Sequence, residues 1–167
     1  ALLGTIKKNY LPEDEVCYYS DYRNISEIKY DSNDKAYIIV SNEISFTLKV
    51  VDVSKITFPM NNWICTGEDN KDNVEFKFES VKVNGVLVDV KSKGNFFENN
   101  QILFKNEIEL KGHTEYKIEQ VIHKKYLLKD DNYIGFKAKW LVNNMNVQLF
   151  YPKEMDVLFV DRGTSDK

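Results

Sequence analysis

Arginine and glycine are what this chain is short of. Of its 23 basic residues only Arg23 and Arg162 are arginine, and 26 acidic residues are interspersed with them, for a formal net charge of −3. No basic face can build up on such a chain, so extended nucleic acid is excluded as a partner, although a local pocket for one phosphate is not. The seven glycines are scattered, too few for a phosphate-cradling loop, and neither G-x-S-x-G nor H-E-x-x-H occurs. Cysteine is nearly as scarce. Cys17 and Cys65 stand far apart, and so do His113 and His123, which excludes a Cys/His zinc array. Neither metal nor cofactor is expected. The two thiols read as reduced residues of a cytoplasmic protein; a bridge would need their Cα atoms within about 7 Å. A single sequon, Asn24-Ile25-Ser26, reads as chance. There is no signal peptide and no run of about 20 apolar residues.

What the chain has in quantity is alternation. In Val74–Val90, Val74, Phe76 and Phe78 alternate with charged residues. After Ser80 the phase moves to Val81 and Val83, and beyond Asn84-Gly85 it continues at Val86, Val88 and Val90. A period of two places one set of side chains on each face of a strand, and Asn-Gly supplies the two positive-φ positions of a type I′ turn. This stretch predicts a β-hairpin. Val16–Arg23, Asn24–Tyr30, Lys35–Val40, Ile44–Val53, Gln101–Leu110, Glu115–Leu128, Ile134–Val142, Val147–Tyr151 and Met155–Val160 read as further strands. Polar turns divide them at Asp31–Asp34, Ser41–Glu43, Lys111–His113, Lys129–Asn132 and Asn143-Asn144. Gly67–Asn73 reads as a solvated loop. About ten to twelve short strands with turns every 8–14 residues or so predict an all-β domain with little helix. An antiparallel β-sandwich is preferred to a closed β-barrel. The predicted organisation is a juxtamembrane-like or linker segment over 1–12, a single domain over 13–162 and a polar tail over 163–167.

No catalytic constellation emerges, and the chain reads as a non-enzyme. His113 and His123 read as surface histidines, and Glu13-Asp14-Glu15 and Asp130-Asp131 as solvated turn formers rather than acid–base pairs. A deep cleft holding His123 with a carboxylate would instead favour a small hydrolase. The candidate ligand-binding residues are Tyr18, Tyr19, Tyr22 and Arg23, with Trp63. Aromatic faces stack on bases, and a guanidinium pairs with phosphate in bidentate fashion. The alternative is structural, with Tyr18 and Tyr22 lining a core edge and Arg23 at the surface. Trp63 lines a pocket mouth or plugs one end of the fold, while Trp140 shares the parity of Ile134 and Phe136 and reads as core.

The apolar start Ala1–Ile6, followed at once by Lys7-Lys8, reads either as the last turn of a membrane helix emerging into the cytoplasm or as an ordinary first strand. With the closing strands Tyr133–Val160, containing NVQLFYP and MDVLFV, it resembles bacterial membrane-anchored antiphage effectors, which carry a soluble β-rich sensor domain. The resemblance is one of architecture and carries over no functional residue. It implies a sensor of a nucleotide second messenger or another infection signal, at the inner face of the cell membrane, anchored through a segment preceding Ala1. Partners on this reading are a nucleotide, a protein or further copies of the chain. The competing expectation is a secreted or surface β-sandwich that binds carbohydrate or protein.

Overall fold

A computed structural model describes residues 17–51, 55–90, 93–97 (backbone only), 100–135 and 140–159. The segments 1–12 and 163–167, and with them the acidic cluster Glu13-Asp14-Glu15, lie outside the described residues. Within them the chain is all-β, with eleven strands and one 3-10 helix, Glu68–Asn73. The strands are β1 (Cys17–Tyr30), β2 (Tyr37–Val50), β3 (Ile56–Pro59), β4 (Asn62–Cys65), β5 (Glu75–Val83) and β6 (Val86–Leu87), then β7 (Lys93–Phe97), β8 (Gln101–Lys105), β9 (Glu107–Leu110), β10 (Glu115–Leu127) and β11 (Val142–Phe150). A six-stranded sheet runs β11-β1-β2-β10-β5-β6, and two small sheets are β3-β9 and β4-β8-β7. Among the described residues β11 and β6 end the large sheet and do not pair with each other, so the closed barrel is corrected.

Three strands carry this sheet, and they are not short. β1 and β2 each have 14 residues and β10 has 13. The polar run Ser41-Asn42-Glu43, expected as a turn, lies inside β2, where β1 and β10 pair with it on both sides. Ladder hydrogen bonds hold the chain extended there regardless of the local preference of Asn and Ser. The expected hairpin does form. Asn84 and Gly85 have φ of 51° and 80°, and the turn is tied to β10 because Lys117 N–H donates to Asn84 Oδ1 at 2.8 Å.

Two phase changes in the sequence are β-bulges. The pairing of β10 with β5 shifts between Val121 and Ile122, which is why inward residues move from Phe76 and Phe78 to Val81 and Val83. The pairing of β1 with β2 shifts between Ser20 and Arg23. Asp21 there has φ 52°, and Asn144 on β11 has φ 59°. The Asn144 amide donates to Asp21 Oδ1 at 2.9 Å, so the two irregularities lie side by side. Asn143-Asn144 therefore does not turn the chain; its left-handed residue serves the bulge.

Three further expectations are corrected. β11 pairs with β1 in parallel, so the sheet is not antiparallel throughout. Gln101–Leu110 is two strands that part at Asn106: β8 pairs with β4 and β9 with β3. At that break Met60 N–H donates to the Asn106 carbonyl at 2.7 Å. Of the predicted strand Ile134–Val142, Ile134 and Gly135 are outside any strand, 136–139 lie outside the described residues and Val142 opens β11; 155–159 belong to no strand, so the one predicted from Met155 is not found there.

The inward face of the large sheet packs as two apolar clusters. At one end Cys17, Tyr19, Tyr22, Phe46, Leu48, Val81, Tyr116 and Ile118 meet Phe58 and Met60 from β3 and its exit and Ile108 and Leu110 from β9. Trp140 packs against this cluster as expected, although Ile134, whose parity it shares, is exposed. At the other end Ile28, Ile38, Val40 and Tyr126 meet Ile64, Ile102 and Phe104 of β4 and β8. The outward face is charged, with ion pairs such as Lys49–Glu115 at 2.9 Å and Lys117–Glu119 at 3.4 Å. Exposed pairs of this kind add solubility and little stability.

Candidate ligand-binding cleft

Between the two apolar clusters the inward face turns polar. Asn24 and Ser26 of β1, Asn42 of β2 and Gln120 of β10 are all buried. Register places Ser26 beside Asn42, and Asn24 beside Ile44, which in turn pairs with Gln120. Asn42 donates to Ser26 Oγ at 2.6 Å, and Ser26 donates to Asn24 Oδ1 at 3.3 Å. Buried amides are held only where they find partners, and apolar side chains at these positions would pack more stably.

The stripe opens into a cleft of about 190 Å³. Its walls include Tyr19, Tyr22, Phe46, Tyr126 and Lys124 from the large sheet, Phe58 to Ile64 from the β3–β4 segment, and Asp131 and Tyr133 to Gly135 from the loop after β10. Aromatic contacts make one wall stiff. Tyr22 stacks on Phe46 with ring centroids 5.7 Å apart, and Tyr19 meets Phe46 edge-on at 5.1 Å. Burial pushes the Tyr19, Tyr22 and Tyr126 hydroxyls well above the ordinary phenol range, so all three stay protonated donors.

Two charged groups enter this cleft. Asp131 is buried, and its carboxylate accepts from Cys65 N–H at 2.9 Å and Tyr133 N–H at 3.4 Å. Desolvation raises its pKa, against the pull of those two donors. Asp131 is thus a pin between the loop and β4, not the solvated turn former expected. Its neighbour Asp130 does the same for the 3-10 helix, accepting from Gly67 N–H at 3.2 Å and Asn70 Nδ2 at 3.0 Å. Lys124 is the second charged group. Burial lowers its pKa to about 8, opposed in part by the field of Asp131. Among the described residues no carboxylate lies within ion-pair distance of its ammonium.

The predicted ligand residues are divided by the β1 bulge. Tyr19 and Tyr22 line the cleft, and Trp63 stands at its mouth, 43% exposed. Tyr18 and Arg23 face the other way, where both are exposed. The core-edge alternative is corrected in the same manner: Tyr19, not Tyr18, shares the inward face with Tyr22. Arg23 lines a shallow hollow with Lys82 and with Glu43 and Glu119, whose charges would compete with any phosphate for the guanidinium.

His113 is exposed and meets Tyr116 edge-on. His123 does have a carboxylate beside it: Glu79 contacts Nε2, while Ser41 Oγ lies 3.1 Å from Nδ1. These three side chains sit on the outward face of the sheet, and His123 lines neither the cleft nor the hollow. Cys17 and Cys65 are not bridged to one another. Asn24 of the sequon is buried. Among the described residues no cluster of His, Cys, Asp and Glu suited to a metal ion occurs, and no helix is long and apolar enough to cross a membrane.

Lys124, Gln120, Asn42 and Asp131 were not among the expected site residues. A signal for three of them existed. Gln120 and Lys124 have the same parity as Tyr116, Ile118, Ile122 and Tyr126, and Asn42 that of Ile38, Val40 and Phe46. Polar residues set in an otherwise apolar inward row are where a strand departs from what its stability favours.

No family model matches the chain, and no curated protein does. Among solved structures, it is similar to a candidate nutrient binding protein from Legionella pneumophila, at 12% identity and TM-score 0.40 over 68% of this chain and 41% of that one. Yeast LTA4 hydrolase aligns at 9% identity and TM-score 0.40, over 68% of this chain and 15% of the hydrolase. An M1 zinc metallopeptidase from Deinococcus radiodurans aligns at 10% and 0.32, over 65% and 20% respectively. The chain spans less than half the length of each, and likenesses at these scores assign it no function.

Proposed function

We propose that the chain is a non-enzymatic ligand-sensing domain, a two-layer β-sandwich whose signal molecule enters the cleft between the layers. The observation that carries this reading is the polar stripe Asn24–Ser26–Asn42–Gln120, set between two apolar clusters and opening into an aromatic-walled cavity. Polar side chains on a core face cost stability, and a ligand that needs their hydrogen bonds accounts for their presence. The aromatic wall suits a planar ring, and the volume suits a molecule no larger than a mononucleotide. Ser41, His123 and Glu79 lie on the outward face, away from both the cleft and the hollow, which supports the non-enzymatic reading. The unbridged Cys17 and Cys65 are in keeping with a reducing compartment. The setting consistent with both is the cytoplasmic part of a membrane-anchored bacterial antiphage effector responding to a nucleotide.

Thermal-shift screening against mononucleotides, cyclic di- and trinucleotides and simple sugars tests this. A ligand at a hundredfold excess over its Kd stabilises by about 2.7 kcal/mol. The expected hit is a mononucleotide or smaller ring compound, lost in Trp63→Ala. A hit that Trp63→Ala and Asn42→Leu both leave intact would place the ligand elsewhere and overturn the reading. A second reading, a surface domain that binds carbohydrate, is favoured by one feature: Trp63 stands exposed beside Asn61 and Asn62 at the cleft mouth. An aromatic face flanked by amides is what a sugar ring meets, and a sugar hit would select it.

A further inference from the structure

We infer that the ligand of this cleft carries an anionic group, a carboxylate or a phosphate, and that Lys124 is the residue that reads it. The inference rests on the cleft being a ligand site and says which chemistry the site selects.

The geometry leads there by elimination among the charged groups. Lys124 lies on the inward face of β10, in register with buried Val40 on one side and Phe76 on the other. Its ammonium is therefore aimed at the cleft and not at the salt-bridged outer face. A cation taken out of water needs a counter-charge or several acceptors to be held at low cost. The available carboxylate, Asp131, offsets this charge only in part: its oxygens accept from the Cys65 and Tyr133 amides, and it forms no ion pair with Lys124. The other groups at this end of the cleft, Tyr126 and Tyr133, are phenols rather than anions. Desolvation lowers the affinity of Lys124 for its proton, as expected of a half-buried cation with no ion-pair partner among the described residues. An anion arriving in the cleft would supply that partner and form a charge-assisted hydrogen bond inside a low-dielectric wall. Arg23, the cation that arginine scarcity singled out, is on the opposite face and takes no part.

The test uses three probes of one shape on the full 167-residue chain: phenyl phosphate, benzoate and uncharged benzyl alcohol, titrated by backbone amide NMR. Both anions, or one of them, should shift the amides of Asn42, Trp63 and Gln120 and bind at least tenfold tighter than the alcohol. Which anion is preferred separates a phosphate from a carboxylate ligand. Lys124→Met should abolish that preference without lowering the melting temperature, and Lys124→Arg should retain part of it. Should the alcohol bind as tightly as the anions, the inference fails while the cleft remains a ligand site. An anion preference that survives in Lys124→Met overturns the role of Lys124 alone. Silence of the cleft amides toward all three probes overturns both the inference and the reading beneath it.

Discussion

Lys124 and Lys125 are neighbours on β10, yet the sheet puts them in opposite worlds. Lys125 points outward, where its ammonium reaches Asp31 and lies 3.9 Å from Glu75. It also stands 5.7 Å from the centre of the Tyr37 ring. Its hydrogen bond to Asp31 raises its pKa, and the same bond, with Asn33 N–H, lowers that of Asp31. Lys124 points inward, where burial lowers its own pKa and raises that of Asp131. The outer pair is arranged to keep its charges and the inner pair to resist them. A fold selected for stability alone would place an apolar residue at 124; one that must bind something tolerates the cost.

The comparison is broken most severely at Asp131. Replacing it with Ala leaves the Cys65 and Tyr133 amides without their acceptor and removes the charge that partly offsets Lys124. Urea unfolding should show a loss of about 3 kcal/mol. Lys124→Met should move the other way, gaining about 2 kcal/mol at pH 7 once partial solvent access is allowed for. A loss of similar size would mean that Lys124 has a partner in the fold and is not waiting for one.

The same pair predicts a pH dependence. Lys124 has a folded pKa of about 8 against an ordinary value of 10.5, so between these values the unfolded state binds more protons than the folded one. Its penalty is complete below pH 8 and fades as pH rises toward 10.5, so wild type should gain stability over that window. Lys124→Met should lack this gain, and the difference between the two proteins should shrink from pH 8 to pH 10. Lys125, with its pKa raised, contributes stability that is complete below 10.5 and lost above it. The smallest effect is expected from Lys125→Met, which should lower the melting temperature by a few degrees at most. That variant should also weaken the protection against acid, because Asp31 stabilises the fold above its unfolded pKa and ceases to do so as pH falls through its lowered folded value.

Legibility followed the range of the interactions. The hairpin at Asn84-Gly85 was readable because a type I′ turn depends on two adjacent residues and on alternation in the strands beside it. The change of phase after Ser80 was readable too, as a shift from even to odd positions. The equivalent shift in β1, from Tyr19 to Tyr22, was hidden because four aromatic or polar residues in a row leave no clear alternation. Reading Tyr18 and Tyr22 as one face followed directly from missing it. Ser41-Asn42-Glu43 misled for another reason: its composition is that of a turn, and only pairing on both sides holds it straight. The strand 101–110 was overextended because alternation cannot register where a chain changes partners.

The sequence by itself determined an all-β chain, its central hairpin and the scarcity of helix, all of which depend on local period. Only the tertiary structure decided which polar residues face inward, that β11 runs parallel to β1, and that Lys124 rather than Arg23 meets the inward cleft. Those outcomes depend on register between strands far apart in the chain. A shift of one residue in a strand exchanges its two faces, and the side chains that make a site change with it.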